Sequence, residues 1–147
     1  LLGLDLKNNR YAFPKNLKES HDELEKQYEI NNKKIINLAI VKRSNELSKN
    51  TFNDGKFIVL PAISIKDLQN ESSQQNNCVR TYAEKYAEGF CDIYFMRNAK
   101  KPDKSLVTVE VRHNKVVQSR IKNNKCPTDQ QLQFLKSWEQ NVLKGAA

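Results

Sequence analysis

The sequence predicts an α+β fold with N-terminal helices, an antiparallel sheet of three to four strands, and a C-terminal helix packed on the sheet. Apolar residues recur at helical spacing before Gly89, alternate with polar residues after it, and return to helical spacing after Pro127. With 147 residues, the chain is long enough for one domain with its own core. We therefore expect an N-terminal helical segment, 1–50, to pack with an α+β core, 51–147, as one compact domain.

The N-terminal segment is predicted to hold two helices. The first begins after Pro14, where the Asn16 side chain can accept a hydrogen bond from a free N–H of the first turn. His21 falls on the apolar face of this helix, which predicts a hydrogen-bonded core histidine. The two asparagines at 31–32 predict an interruption, after which helical spacing resumes.

The first half of the core is predicted to contain a strand followed by two helices. A turn at 53–55, which ends in glycine, precedes the β-branched strand 57–60. Ser64 is expected to cap the next helix, because an aspartate follows three residues later. A short helix is expected at 79–87, and Gly89 supplies the left-handed residue that ends it.

The second half of the core is predicted to be a meander of three strands and a final helix. Residues 90–96, 106–112 and 116–121 read as strands, and the short turns between them favour antiparallel neighbours. Pro127 then precedes a helix that should cover one face of the sheet. Its apolar positions are Leu132, Leu135, Trp138 and Val142.

The net charge of +8 is unevenly distributed along the chain. Residues 51–100 carry six basic and six acidic side chains, whereas residues 101–125 have a local balance of +5. The basic side chains of that second segment are Lys101, Lys104, Arg112, Lys115, Arg120, Lys122 and Lys125. Such a cluster attracts phosphate groups and predicts a nucleic-acid-binding surface. The alternative is a surface that serves only solubility.

The cysteines and the hydropathy indicate where the protein resides. Cys78, Cys91 and Cys126 form an odd set without a CxxC pair, which argues against a disulfide framework and predicts a reducing, cytoplasmic location. No apolar run approaches the roughly 20 residues that a membrane helix needs, so no membrane partner is predicted. Because the sequence does not begin with Met, we expect it to be part of a longer protein.

No metal and no cofactor are predicted. The adjacent His21 and Asp22 are the beginning of a metal motif, but no second element of that kind follows. A Gly-rich phosphate loop and the GxSxG and HExxH motifs are absent from the sequence.

A polar patch is predicted on one face of the sheet. In the strand 106–112 the valines point to one side, and Thr108 and Glu110 point to the other. Strict alternation in the next strand places Val116 on the same side as Gln118 and Arg120, and an antiparallel hairpin brings that side next to Glu110.

The patch is a candidate for catalysis or ligand binding. Glu110 between hydrogen-bond donors is suited to act as a general base or a ligand anchor, and Arg97, at the end of the preceding strand, is a candidate neighbour. The alternative is a solvated cross-strand salt bridge between Glu110 and an arginine.

Cys78 is a candidate nucleophile. It precedes the predicted helix 79–87, and N–H groups at a helix start favour the thiolate. A nucleophilic cysteine needs a base, and the two histidines, His21 and His113, are the candidates for it. The alternative is a buried structural cysteine.

Several short motifs occur in a fixed order along most of the chain. They are the Ser-x-x-Asp-Leu helix opening at Ser64, Asn-Cys-Val-x-x-Tyr from Asn77, a strand ending in Arg97, the turn with Pro102, Thr108-Val-Glu110, Val117-Gln118-Ser-Arg120, Asn124 and the helix with Trp138. Upstream lies Phe13-Pro14-x-Asn16-Leu17-x-x-x-His21-Asp22. In this order the chain resembles the PcfJ-like proteins of conjugative plasmids and phages. It departs from the family at 76–80, where the family more often has apolar residues or histidine before Cys and glycine after Val.

The resemblance implies residence on a mobile genetic element, a plasmid or a phage, but no particular reaction. It favours a shared site for the residues that the family keeps together around one sheet: Cys78, Arg97, Glu110 and Gln118. We expect a nucleic-acid-associated accessory protein. The alternatives are an enzyme with this polar site and a phage-type inhibitor that binds a host protein.

Overall fold

The structure is a computed structural model that describes residues 14–145, with side chains from residue 20 onward. The chain divides into two compact units, residues 1–35 and 36–147. Within 14–145 no helix is apolar over a long enough stretch to cross a membrane.

Helix α1 spans Pro14–Leu47. The predicted interruption at 31–32 is wrong, because asparagine inside a helix costs only about 0.5 kcal/mol relative to alanine, far less than proline. His21 is not a core residue, since 68% of its side chain is exposed and its Nε2 lies 3.2 Å from Oε1 of Glu25. In the second unit, Ile40 of α1 is fully buried.

Five strands form one antiparallel sheet, which confirms the α+β class and corrects the predicted number of three to four strands. The strands follow one another in sequence order, and their bounds are β1, Phe52–Asn53; β2, Phe57–Pro61; β3, Asp92–Asn98; β4, Val107–Arg112; and β5, Lys115–Arg120. The missed strand is β1, whose two residues are too few to show an alternating pattern.

Two capping residues that the sequence predicts are found in the core, Ser64 before one helix and Gly89 after another. Helix α2 spans Ile65–Gln75, and the Ser64 hydroxyl accepts a hydrogen bond from the Asp67 N–H at 3.0 Å. The predicted helix at 79–87 is a 3₁₀ turn, Val79–Tyr82, followed by α3, Ala83–Glu88, and it ends at Gly89 with φ of 83°. Helix α4 spans Asp129–Trp138 and continues as one π-helical turn, Glu139–Leu143.

The last helix packs on one face of the sheet, as predicted. The rings of Tyr94 and Trp138 meet edge to face, with centroids 4.7 Å apart. Asn50, which ends the 3₁₀ turn after α1, bonds to both residues. Its carbonyl accepts a hydrogen bond from Trp138 Nε1 at 2.7 Å, and its side-chain amide donates to the Tyr94 hydroxyl at 2.9 Å. The valines of β4 share this buried face, which leaves Thr108 and Glu110 on the other.

Candidate functional site

The pairing of β4 with β5 brings the predicted polar residues together. Glu110 lies directly opposite Gln118, and Thr108 lies opposite Arg120. The register shifts between Glu110 and Val111, so that Val117 is one extra residue in β5. The extra residue changes the facing of the strand, because Val116 pairs with Val111 and packs against the core, while Gln118 faces Glu110. The expectation that Val116 shares the polar face is therefore wrong.

A pocket of about 390 Å³ lies over this polar face. Strands β3 to β5 provide its floor, and the connection between α2 and α3 and the loop after β5 provide its walls. Its lining residues are Asn76, Asn77, Cys78, Val79, Tyr82, Ile93, Thr108, Glu110, Gln118, Arg120 and Asn124. Three of the four predicted site residues, Cys78, Glu110 and Gln118, thus line one pocket, together with Arg120.

Arg97 lies outside the pocket lining and forms a buried ion pair with Glu71 of α2. Its Nη2 is 2.7 Å from Oε1 of Glu71 and its Nη1 donates to Oε2 at 3.1 Å. The hydroxyls of Ser105 and Thr108 also donate to this carboxylate, at 2.6 and 2.7 Å. Glu71 is 1% exposed, so four charge-assisted hydrogen bonds compensate for the loss of its hydration.

The predicted site residues do not include Glu71, although the sequence carries a signal for it. Leu68, Glu71, Ser72 and Gln75 are all buried and fall at i, i+3, i+4 and i+7 of α2. That spacing is typical of the buried face of a helix, and here three of its four positions are polar. Polar residues on the inner face of a helix indicate a polar partner on the surface that the helix covers.

Thr108 connects this buried pair to the pocket wall. Its hydroxyl donates to Glu71 and accepts from the Asn77 side-chain amide at 3.3 Å. The Asn77 N–H donates to the Ser72 carbonyl at 3.2 Å, and the Ser72 hydroxyl donates back to the Asn77 carbonyl. The residue before, Asn76, is left-handed with φ of 52° and donates to the Asn123 side chain at 3.0 Å. These bonds hold the loop that carries Cys78 over the sheet.

Glu110 is 7% exposed and accepts a hydrogen bond from Arg112 Nε at 2.8 Å. Glu110 thus forms a salt bridge with an arginine, which is the alternative that the sequence offers, but the two residues belong to the same strand. Glu110 also lines the pocket. Arg120 is half-buried, and its Nη1 donates to its own strand at the Ser119 carbonyl, 2.8 Å away. No carboxylate of the described residues lies within 4 Å of the Arg120 guanidinium.

The three cysteines are free and differ in their surroundings. Cys78 and Cys126 are exposed, and Cys91 is buried. Burial, together with the negative charge of Glu110, raises the pKa of the Cys91 thiol to about 11, so Cys91 stays protonated. Cys78 lines the pocket, but neither histidine does: His113 lies in the tight β4–β5 turn, at the end of β4 away from Thr108.

The topology separates the seven predicted basic residues into two groups. Arg112 and Lys115 flank the β4–β5 turn. The other five lie at the opposite end of the sheet, and the length of β4, about 17 Å, separates them from the turn. We call these five residues the cationic cluster. They are Lys101 and Lys104 between β3 and β4, Arg120 at the end of β5, and Lys122 and Lys125 after it.

The cationic cluster is close to the pocket. Arg120 belongs to both, and Asn124, which lines the pocket, lies between Lys122 and Lys125. A hydrogen bond of 2.9 Å from the Ile121 N–H to the Lys125 carbonyl closes this loop. Among residues 20–145, none of the five cations has a carboxylate within 4 Å, whereas Arg112 pairs with Glu110.

Comparison with known proteins identifies one family and one curated relative. The model of the PcfJ-like protein family matches residues 1–135. An uncharacterized protein of Listeria innocua is 27% identical to the chain over 96% of the chain and 32% of the relative. The chain thus spans about a third of that relative's length. No solved structure matches the chain.

Proposed function

The chain belongs to the PcfJ-like protein family, and we propose that it is a nucleic-acid-associated accessory protein of a plasmid or phage. The cationic cluster contacts phosphate groups in this function. One observation supports the proposal above the others: five cations stand at one end of the sheet, and the segments that carry them, 101–104 and 120–125, hold a single acidic residue, Asp103. A surface that serves only solubility needs no such local excess of positive charge.

Unpaired cations bind phosphates with little competition from the protein itself. Each lysine or arginine that neutralises a phosphate releases condensed counterions, which favours binding at low salt. Arg120 adds a planar guanidinium that can hold one phosphate through two hydrogen bonds. These contacts position the nucleic acid without reading its sequence.

Fluorescence anisotropy with labelled single- and double-stranded DNA and RNA, over a series of salt concentrations, tests this function. Replacing Lys101, Lys104, Lys122 and Lys125 by alanine should weaken binding and reduce the slope of log K against log salt by about 3 on single strands, at roughly 0.7 per phosphate contact. The matched control replaces Lys33, Lys34, Lys42 and Lys136, which are also exposed, and changes the net charge by the same four units. Equal losses in both variants would assign binding to net charge alone. No binding at low salt would refute the function.

A second candidate is an enzyme that acts on the bound strand. It is favoured by the placement of Cys78, Glu110 and Gln118 around one pocket. Mass spectrometry of an oligonucleotide after incubation with the protein tests it. A product that disappears with Glu110→Gln or Cys78→Ala supports the enzyme, and a strand recovered unchanged from the native protein argues against chemistry on nucleic acid.

A further inference from the structure

The pocket beside the cationic cluster has a lining that is both polar and apolar. Val79, Ile93 and the ring of Tyr82 supply apolar and aromatic surface, and amide, carboxylate and guanidinium groups supply the rest. A ligand that matches this lining has a flat apolar face and an edge with both hydrogen-bond donors and acceptors. A nucleobase has both features.

The polar groups of the lining fall into two classes. Asn76 and Asn77 are engaged in the bonds that hold the loop to Asn123 and Thr108. Gln118 and Asn124 form no side-chain hydrogen bond within residues 20–145, and Glu110 engages only Oε2 there. Two amides and one carboxylate oxygen are therefore available to a ligand, and amides and carboxylates are the groups that read base edges.

From these observations we propose that the pocket takes one unpaired base of a single-stranded nucleic acid, while the flanking phosphates lie on the cationic cluster. This inference rests on the proposed function, since the cluster has to hold the strand. The pocket volume of about 390 Å³ is at the lower end for ligand sites and suits one nucleotide rather than a duplex. Arg120 belongs both to the pocket lining and to the cationic cluster, so the proposal gives it contacts with the base and with its phosphate.

A comparison of base-containing and abasic strands separates the base from the backbone. The probes are a labelled 12-residue single-stranded DNA, the same backbone with every base removed, the RNA strand of the same sequence, and the DNA duplex. The native protein should bind the single strands at least about tenfold more tightly than the abasic backbone, because base stacking and edge contacts add to the phosphate contacts. Equal binding of the base-containing and abasic strands would leave the nucleic-acid function standing and overturn the base pocket. Binding of neither would refute the function itself.

Substitutions in the lining locate the preference for bases. Gln118→Leu should reduce binding of the base-containing strand toward that of the abasic strand and leave abasic binding unchanged. Gln118 is exposed, so this substitution does not disturb the core. Gln133→Leu, at an exposed position of α4 outside the lining, is the matched control and should change neither. If Gln118→Leu and Tyr82→Ala still bind the base-containing strand more tightly than the abasic strand by the native ratio, the preference for bases arises elsewhere. That result would overturn the assignment to the pocket.

Cys78 provides a measurement that needs no substitution. Its exposed thiol lines the pocket, so a base in the pocket should slow its alkylation by N-ethylmaleimide by severalfold. The abasic strand should not protect Cys78. Cys126, the second exposed thiol, follows Lys125 and reports contact with the backbone alone. Equal alkylation of Cys78 with and without the base-containing strand, at saturation, would overturn the proposal.

Discussion

Arg97 illustrates how a residue of a family motif can act at a distance from the pocket. Its guanidinium forms a buried pair with Glu71, and that carboxylate accepts the Thr108 hydroxyl, which in turn holds Asn77 of the pocket wall. The chain of hydrogen bonds gives Arg97 a positioning role. Substitution of Arg97 should therefore change the stability of the protein and the position of the loop that carries Cys78. It should not remove a group that touches a ligand.

Arg97→Met should lower the free energy of unfolding by about 3–5 kcal/mol, because Glu71 is left as an uncompensated buried charge. Combining it with Glu71→Leu should recover part of the loss, since the double variant has no buried charge. Urea unfolding followed by circular dichroism measures both values.

His21→Ala is the control for Arg97→Met. His21 also lies beside a glutamate, Glu25, but the two side chains are 68% and 64% exposed, so the loss should be within about 1 kcal/mol. A similar loss for Arg97→Met and His21→Ala would contradict the buried-pair account and return Arg97 to the candidate site residues.

At the scale of elements, the register shift at Val117 determines which side chains face the pocket. If β4 and β5 paired regularly from Val116 onward, with all residues retained, Val117 would lie opposite Glu110 and Gln118 would turn toward the core. The bulge thus reverses the facing of the strand between Val116 and Gln118. β-Bulges are common next to functional sites, where they redirect a side chain.

Two deletions of one residue each in β5 should differ in their effect on stability. Deletion of Val117 removes the extra residue and leaves every other pair in place, so the free energy of unfolding should stay within about 1 kcal/mol of the native value. Deletion of Ser119 forces Gln118 or Arg120 onto the core face opposite Val109 and should cost more, about 2–3 kcal/mol, through a buried unsatisfied polar group. Equal losses in urea unfolding would contradict the assignment of Val117 as the bulge.

The β-strands also show how far local sequence determines the site. Alternation in β4 predicted that Glu110 faces away from the valines, because neighbouring residues alone set that period. It could not predict the bulge at Val117, since a bulge depends on how two strands fit together. Glu71 is an intermediate case: the spacing of the residues in α2 indicates that it faces inward, but its partner, Arg97, lies 26 residues later in the chain and is fixed only by how α2 docks.

At the scale of the whole chain, the division into a helical segment, 1–50, and a core, 51–147, stays a prediction. The two compact units are residues 1–35 and 36–147, so the last part of α1 belongs to the second unit. Ile40 and Leu47 are buried in the core, and Arg43 pairs with Asp92 of β3. Helical periodicity showed that these residues are helical, but it could not show which neighbours they bury against.

Two shortened chains, one beginning at residue 36 and one at residue 51, test where the core begins. Among side chains 20–145, the buried core begins after residue 35, so the first chain should unfold cooperatively in urea within about 2 kcal/mol of the full chain. The second chain lacks Ile40 and Leu47, each worth roughly 2–5 kcal/mol when truncated in a core, and the Asn50 groups that bond Trp138 and Tyr94. Since domains of this size are stable by only about 5–15 kcal/mol, it should lose its cooperative transition and the fixed environment of Trp138 in fluorescence. A cooperative transition in the chain from 51 would instead support an independent core beginning there, with the end of α1 as a dispensable addition.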